Sequence, residues 1–253
     1  MSTAPTLESV ILAGGRGSRL GGDVPKALAS VGGQPLLHHL LQMLGESGLR
    51  SVSVAVGKTA GDFASTLNLP CAGPEQAPPH RPVSLTNGSA SSLRLIETGV
   101  QTQTGGRLKR LDGLLRRTFV LCWADGLCDA DLAAMIAFHR AHGRAASVLA
   151  VHPPARFGHL QLSGDRVTDF AEKPQCLQEW INGGIFVLEP TVLELIDGDE
   201  SSFERDVLPK LAAQDQLRAY RHLGYWQCMD TPAEHAELDR LASGGQRPWI
   251  TRR

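Results

Sequence analysis

The hydrophobic and polar positions near the start of the chain predict alternating strands and helices. A short apolar run at residues 10–12 leads into glycines, and leucines at helical spacing follow over residues 35–44, with a proline in the first turn. Residues 51–56 alternate as a strand does. This strand–helix–strand order predicts a right-handed βαβ unit and a parallel sheet.

The same patterns predict further elements towards the C-terminus. Residues 118–123 are a nearly continuous apolar run typical of a buried strand, and we expect Asp129 to cap a helix that runs to His142. Residues 160–162 and 167–170 flank a Ser-Gly-Asp-Arg turn, which is typical of a β-hairpin. Other predicted elements are strands at 145–151 and 185–188 and helices around 203–213 and 232–241.

One region between these elements has the composition of a loop. Residues from about 68 to 92 are rich in Pro, Gly, Ser and Ala. We predict an elaborated surface excursion there, because sheet-like segments resume beyond it.

A glycine-rich loop with cations follows the first predicted strand. It reads Leu12-Ala13-Gly14-Gly15-Arg16-Gly17-Ser18-Arg19, and Pro25-Lys26 comes soon after it. Glycines at a strand end expose backbone N–H groups to a phosphate chain, and the arginines and the lysine add positive charge. The loop is neither the dinucleotide fingerprint nor a P-loop. It predicts a nucleoside triphosphate site, and the alternative is a glycine-rich turn with solvated arginines.

Composition limits the classes of function that the protein can have. The 253 residues are 42% hydrophobic and carry a net charge of −1, which argues against a nucleic-acid-binding surface. No charged-then-apolar N-terminal signal and no membrane-length apolar run is seen, so we expect a cytoplasmic protein without membrane or nucleic-acid partners. The five scattered cysteines contain no C-x-x-C pair, so neither a disulfide framework nor a zinc site is indicated.

Two aspartates are candidate metal ligands. Asp125 follows the apolar run at 118–123, so its carboxylate is expected at the sheet edge that carries the glycine loop. A carboxylate facing a triphosphate suits Mg²⁺, and a helix cap or turn aspartate is the alternative. Asp230 precedes the last predicted helix, where capping is the alternative role. It becomes a second metal ligand only if the fold brings it beside Asp125.

Three further segments carry groups suited to phosphates or hydroxyls. Lys173 follows the predicted hairpin, and its compact charge suits a phosphate. Arg107 lies in a basic, glycine-opened stretch at 104–110 that would bind anionic oxygens at a helix N-terminus, or else form a solvated basic face. Asn182 precedes two glycines, which offer an amide and bare backbone to hydroxyls, or else form a bulge.

In their order along the chain, these segments resemble the sugar nucleotidyltransferase family. The general family mark is the glycine loop with Pro25-Lys26. Within the family the likeness is greatest to the glucose-1-phosphate cytidylyltransferase group, covers nearly the whole chain and is weakest at 57–95. The segments that carry this closer likeness are 104–110, Asp125-Gly126, 153–158, 172–174, 181–184, 224–231 and Pro248-Trp249.

The resemblance implies both a fold and a reaction. The fold is α/β, with a Rossmann-like, mixed but mostly parallel central sheet flanked by helices and a β-hairpin insertion. It forms one domain over 1–253, in which about 1–125 mainly binds the nucleotide and about 126–253 mainly binds the sugar phosphate. The reaction is Mg²⁺-dependent transfer of a nucleoside monophosphate, with CTP as the favoured donor, to a sugar 1-phosphate such as glucose 1-phosphate, with release of pyrophosphate. No covalent enzyme intermediate is implied.

The family pattern also implies a role for each matching residue. Arg19, Lys26 and Arg107 are implied to be catalytic, and Asp125 and Asp230 to hold Mg²⁺. The implied nucleotide-binding residues are Leu12, Ala13, Gly14, Gly15, Gly17, Ser18, Arg19, Lys26 and Arg107. The implied sugar-phosphate-binding residues are Glu172, Lys173, Asn182, Gly183 and Trp226.

The chain also departs from the family pattern. The segment 21–24 before the proline is shortened, with Val24 in place of a lysine, and the region 57–95 is shorter and richer in proline. These changes leave open another triphosphate and a non-glucose, cyclitol or non-sugar phosphate acceptor. A non-catalytic, nucleotide-binding regulatory protein is the alternative of a different class, and the retained carboxylates and lysine favour the enzyme. A homo-oligomer is compatible with the sequence.

Overall fold

A mixed β-sheet with helices packed on both faces forms the frame of the protein. The structure is a computed structural model that describes residues 7–15, 24–84, 90–153, 159–171 and 179–250. The strands are β1 (Glu8–Leu12), β2 (Ser30–Val31), β3 (Gln34–Pro35), β4 (Ser51–Val56), β5 (Cys71–Ala72), β6 (Arg81–Ser84), β7 (Ala90–Glu97), β8 (Phe119–Trp123), β9 (Gly126–Cys128), β10 (Ala146–Val151), β11 (His159–Ser163), β12 (Arg166–Ala171), β13 (Ile181–Leu188), β14 (Leu217–Arg221) and β15 (Trp226–Cys228). The α-helices are α1 (Leu36–Glu46), α2 (Ala60–Leu67), α3 (Thr104–Lys109), α4 (Leu132–His142), α5 (Leu208–Ala213) and α6 (Pro232–Ser243).

The main sheet has the strand order β14-β10-β13-β8-β1-β4-β7-β5, and β6 also pairs with β7. Strand β1 lies parallel to both β4 and β8, and β4 lies parallel to β7. Strand β13 runs antiparallel between β8 and β10. The hairpin β11–β12 stands apart as a two-stranded sheet. This architecture confirms the predicted α/β fold with a mostly parallel central sheet and a hairpin insertion.

Alternating side chains of the strands feed two hydrophobic cores. Val10 and Leu12 belong to one core, and Ile11 belongs to the core on the other face of the sheet. Helix α1 covers the Ile11 face with four fully buried leucines at helical spacing, namely Leu37, Leu40, Leu41 and Leu44. The β1–α1–β4 unit therefore has the predicted order and the predicted parallel pairing.

The predicted cap of α4 was wrong by two residues. Asp131 is the N-cap, and its side chain accepts a hydrogen bond from the Ala134 amide at 3.0 Å. Asp129 lies before the helix, where one of its carboxylate oxygens is 2.9 Å from the imidazole of His222. The helix starts later because the Asp129 amide still donates to the Tyr225 carbonyl at 3.2 Å, directly after β9, a short strand that the sequence pattern did not predict.

The predicted surface excursion at 68–92 is partly sheet. It contains β5 and β6, and β7 begins inside it at Ala90. Ser91 and Ser92 hid this start because serines lack the apolar signature of a buried strand, although Ser91 is only 2% exposed. Strand β13 also begins at Ile181, four positions before the predicted 185, because its glycines continue the strand rather than precede it.

The remaining structural findings concern membranes and cysteines. None of the helices in the described ranges is both long and apolar enough to cross a membrane. Of the five cysteines, Cys71, Cys122, Cys128 and Cys228 lie in those ranges and are free thiols. Cys176 lies outside the described residues.

Candidate functional site

The candidate site lies where the parallel strands β1, β4, β7 and β8 end. Ala13 donates its amide to the carbonyl of Ala55 at 2.9 Å, which holds the start of the glycine loop against the end of β4. Leu12 and Ala13 have buried side chains, so only their backbone faces this edge. Gly14 and Gly15 follow, and Asp125 comes two residues after the end of β8. The fold thus brings the glycine loop and Asp125 to one edge of the sheet, as expected.

Lys26 joins the two predicted metal ligands. Its Nζ donates a hydrogen bond to Asp125 Oδ2 at 3.1 Å and a second one to Asp230 Oδ1. The lysine side chain is 16% exposed, and those of Asp125 and Asp230 are 29% and 39% exposed. Two carboxylates from distant parts of the sequence therefore converge on one ammonium group in a half-buried cleft.

Local pairing explains how Asp230 reaches Asp125. The antiparallel pair β9–β15 aligns Gly126 with Cys228, and the Met229 amide donates to the Asp125 carbonyl at 2.8 Å. Asp125 occupies the turn between β8 and β9, so it does not cap a helix.

Asp230 is not a helix cap either. Thr231 is the N-cap of α6 and forms a capping box with Glu234. The Glu234 carboxylate also accepts the Asp230 amide at 2.7 Å, which fixes the backbone just before the helix. The side chain of Asp230 is therefore left to face Lys26.

Electrostatics at this cluster keep the Lys26 ammonium charged. Burial raises the pKa of Asp125, and the charge of Asp230 adds to the rise, while Lys26 opposes it. Burial disfavours the charged form of Lys26, but the two carboxylates more than compensate and raise its pKa. Lys26 therefore stays protonated and supplies the positive charge that the paired carboxylates require.

The residues present fit a magnesium ion that is shared with a phosphate ligand. No group of three or more His, Cys, Asp or Glu side chains suited to a metal occurs in the described ranges. Mg²⁺ does not need such a cage, because it is commonly held by one or two carboxylates together with substrate phosphates and water. Asp125 and Asp230 provide that donor set, and the Lys26 ammonium already lies between them as a cation.

Arg107 acts within the site as a clamp on the strand ends. Its guanidinium donates to the carbonyl oxygens of Val56 at 3.2 Å, Gly99 at 2.8 Å and Gly14 at 3.3 Å. It also donates to the Thr98 hydroxyl at 2.9 Å. Arg107 is 5% exposed, so the alternative of a solvated basic face is wrong. These bonds tie together the segments that follow β1, β4 and β7.

The glycines of α3 serve packing in this structure. A Cβ on Gly105 would lie 2.7 Å from the Ser201 carbonyl oxygen, and one on Gly106 would lie 2.5 Å from the Cα of Asp199. The Gly106 amide donates to the Ser201 carbonyl at 3.1 Å. The 199–203 segment thus covers the start of α3. The Gly106 amide is bonded within the protein, so it does not contribute to the expected anion site at this helix N-terminus.

Three of the predicted sugar-phosphate residues, Asn182, Gly183 and Trp226, lie around the start of β13. Trp226 donates its indole N–H to the Gly183 carbonyl at 2.9 Å, which joins β15 to β13. The Asn182 amide oxygen accepts the Gly184 N–H at 2.8 Å, and the residue is exposed. Because β13 runs antiparallel to β8, its start lies at the same edge of the sheet as Asp125.

Five predicted site residues lie outside the described residues. They are Gly17, Ser18, Arg19, Glu172 and Lys173. Their roles stay predictions from the sequence.

Glu204 is a supporting residue that the sequence did not reveal. Its carboxylate accepts the indole N–H of Trp123 at 3.0 Å and the hydroxyl of Thr104 at 2.6 Å. Glu204 thereby links the end of β8 to the first residue of α3. No sequence motif surrounds Glu204. The sequence offered one hint of an acceptor here, which is its partner Trp123, two residues before Asp125.

Comparison with known proteins places the chain in a family. A family model described as nucleotidyl transferase matches residues 8–232. The glucose-1-phosphate cytidylyltransferase of Salmonella typhi is 36% identical, over 97% of this chain and 99% of its own length. A probable glucose-1-phosphate cytidylyltransferase of Bacillus subtilis is 31% identical, over 96% of this chain and 99% of its own length.

Solved structures share the fold at lower identity. HddC from Yersinia pseudotuberculosis superposes with a TM-score of 0.70 at 23% identity, covering 93% of this chain and 99% of that one. UDP-glucose pyrophosphorylase in complex with UDP-glucose gives a TM-score of 0.69 at 15% identity, covering 95% of this chain and 100% of that one. The family match over nearly the whole chain, together with this shared fold, establishes that the protein is a nucleotidyltransferase of the nucleotidyl transferase family.

Proposed function

We propose that the protein transfers CMP from CTP to the phosphate of glucose 1-phosphate or a closely related sugar 1-phosphate, with Mg²⁺ as cofactor. The products are the CDP-sugar and pyrophosphate. Support for the sugar and the base comes from the relatives named as glucose-1-phosphate cytidylyltransferases.

One observation carries the proposal. Asp125 and Asp230 meet at the Lys26 ammonium, beside the glycine loop that follows β1. Paired carboxylates with a lysine at a loop of bare backbone amides suit a metal-bound triphosphate better than they suit an uncharged ligand.

The proposed reaction is an in-line displacement at phosphorus. An oxygen of the sugar phosphate forms a bond to the α-phosphorus, and the bond from that phosphorus to the β-bridging oxygen breaks. Pyrophosphate leaves with the electron pair, so no protein nucleophile is required. Positioning of the two substrates and stabilisation of negative charge then account for the catalysis.

The chain's own residues divide this work. Asp125 and Asp230 would hold Mg²⁺, which when bound neutralises charge on the phosphates. Lys26 would stabilise charge beside them. Arg107 keeps the ends of β1, β4 and β7 together, and with them Gly14 at the start of the glycine loop.

A pyrophosphate-release assay tests the proposed function. The protein is incubated with Mg²⁺, each common nucleoside triphosphate and a panel of sugar and cyclitol phosphates. We expect release with CTP and glucose 1-phosphate, and none after the metal is chelated with EDTA. Nucleotide binding without release for any pair of substrates would instead support a regulatory protein.

Asp125→Ala should abolish turnover while leaving the protein folded. Loss of a metal ligand removes charge stabilisation worth several kcal/mol, which lowers kcat by about a thousandfold. Asp112→Asn is the matched control, because Asp112 is an exposed residue whose ion pair with Lys109 lies at the surface. Turnover of Asp125→Ala at the level of the control would remove Asp125 from the metal site.

A further inference from the structure

A cavity beside the proposed nucleotide site is suited to binding the base of a nucleotide and discriminating between bases. It measures about 520 Å³ and is lined by Gly73, Pro74, Glu75, Gln76 and Arg110. The first four residues follow β5 directly, and three of them form a single 3-10 turn, Pro74–Gln76. None of them belongs to the metal and lysine cluster described above.

The topology puts this cavity at the edge where the nucleotide is expected. Strand β5 runs parallel to β7, with Ala72 opposite Ile96, so residue 73 leaves the sheet next to the segment after β7. Only β4 separates β7 from β1. Neighbouring strands are about 4.8 Å apart, so β5, the next strand after β7, lies roughly 14 Å from the glycine loop's strand, a distance that an extended nucleoside triphosphate spans.

Arg110 is a fixed wall of this cavity. It donates through Nε to Asp199 Oδ1 at 2.8 Å and through a terminal nitrogen to the other oxygen of the same carboxylate. Its guanidinium also packs on Gly99, where an added Cβ would lie 2.9 Å from a terminal nitrogen. Gly99 in turn gives its carbonyl to Arg107. The cavity wall is therefore connected to the clamp that holds the glycine loop.

Charge distinguishes this cavity from a phosphate site. Asp199 neutralises Arg110, and among the described residues no cation forms an ion pair with the exposed Glu75. A free carboxylate repels phosphate but accepts hydrogen bonds from amino groups. Val100, one residue beyond Gly99, is 49% exposed and adds apolar surface at the same edge. An uncharged, flat group with an amino substituent fits these surroundings.

We propose that Glu75 makes the protein select cytosine over uracil, by accepting a hydrogen bond from the exocyclic amino group of the base. Glutamate is a favoured partner of the cytosine N4 amino group. Gln76 beside it carries an amide N–H₂ that can donate to the O2 carbonyl oxygen or the N3 ring nitrogen of cytosine. Uracil presents a carbonyl oxygen where cytosine has its amino group, so its acceptor would face the carboxylate. The inference rests on the proposed function, in which CTP is the nucleotide substrate. Within that function it assigns the choice of base to Glu75.

The test compares CTP with UTP, whose bases carry an amino group and a carbonyl oxygen, respectively, at the position that would face Glu75. Glu75→Gln offers an amide that can donate to uracil, so kcat/KM should fall with CTP and rise with UTP. The ratio of the two values should drop by about ten- to a hundredfold. Glu75→Ala should lose activity with CTP and gain none with UTP. Glu194→Gln, on an exposed turn after β13 at the opposite edge of the sheet, is the matched control and should leave the ratio unchanged.

Binding of CMP and UMP, measured by calorimetry, separates this inference from the proposed reaction. If the wild type releases no pyrophosphate with any substrate pair but binds CMP over UMP, and Glu75→Gln reverses that preference, the reaction is wrong and the base site stands. If the enzyme is active but Glu75→Gln leaves the ratio of kcat/KM with CTP to kcat/KM with UTP unchanged, the inference is wrong and the proposed reaction stands. A wild type that uses UTP as well as CTP also overturns it.

Discussion

Single glycines in the glycine loop have different physical reasons to be there. A Cβ on Gly14 would lie 2.1 Å from the Cζ of Arg107, whereas a Cβ on Gly15 would meet no atom of the described residues within 4 Å. Gly57 has the same relation to Arg107, with terminal nitrogens 2.8 Å from its added Cβ. Gly14 and Gly57 therefore make room for a buried guanidinium, while the described part of the chain leaves the space beside Gly15 open.

Gly14→Ala should destabilise the protein, and Gly15→Ala should not. The new methyl group of Gly14→Ala displaces Arg107 from its carbonyl partners, and overpacking of this kind costs about 1–3 kcal/mol. Gly15→Ala meets no clash, and its smaller loss of chain entropy on folding should leave the stability equal or slightly higher. Urea unfolding of the two variants and the wild type gives the comparison. Equal stability of the two variants would contradict the clamp.

The sequence predicted the loop and Arg107 but not what Arg107 binds. Glycines at a strand end and an arginine after a Gly-Gly pair are local patterns. The acceptors on Val56, Gly99 and Gly14 are backbone carbonyls, which every residue type possesses. Only the assembled sheet brings them to one point, so no residue pattern marks them.

At the scale of elements, a polar cluster ties three parallel strands at the edge opposite the site. Glu8 of β1 accepts hydrogen bonds from Ser51 and Ser53 of β4 and from Arg94 of β7. His80, just before β6, lies 3.2 Å from the same carboxylate. Burial works against ionisation of Glu8, but the hydrogen bonds from His80 and Ser53 and the nearby positive charges lower its pKa to about 2.

The wild type should therefore lose stability on acidification faster than Glu8→Gln does. The ionised form of Glu8 stabilises the fold above its ordinary pKa of 4.5, and this contribution disappears as the pH falls towards 2. It amounts to about 3 kcal/mol if the whole shift arises on folding. Free energies of unfolding measured between pH 6 and 2 should converge for the two proteins at the acid end. Parallel curves would show that the cluster does not stabilise the folded state.

Strands and helices were predictable where the buried hydrophobic residues alternate along a strand or recur at helical spacing. Strand β1, helix α1 and strand β4 have the periodicity of their buried faces, and all three were predicted. Strand β14, Leu217–Arg221, contains two arginines and no buried residue, so its sequence resembles a loop. Its place in the sheet depends on pairing with β10, which lies far away in the sequence.

At the scale of the whole molecule, the two halves of the chain share one sheet and one site. Strand β13 from the C-terminal half pairs with β8 of the N-terminal half. Lys26 of the first half binds Asp230 of the second. The sequence suggested that Asp125 and Asp230 act together only through the family resemblance, because their spacing carries no geometric signal.

We expect the chain to unfold as one cooperative unit. Separate unfolding of residues 1–125 would expose the edge of β13 that pairs with β8 and would break the Lys26 cluster, so we expect neither half to be stable alone. Far-UV circular dichroism and tryptophan fluorescence should report coincident transitions in urea, since Trp123 lies in β8 and Trp249 packs in the other core. Two separated transitions would show that the halves are independent domains.

The insertion of β13 beside β8 also has a consequence for synthesis on the ribosome. Strands β1, β4, β7 and β8 leave the ribosome early and can pair, but β8 keeps one open edge until residues 181–188 emerge. At about 5–20 residues per second, translation of residues 124–180 takes several seconds. During that time an apolar strand edge, formed by Phe119–Trp123, is available to other nascent chains. We therefore expect chaperone supply during synthesis to limit the soluble yield of the protein more than its final stability does.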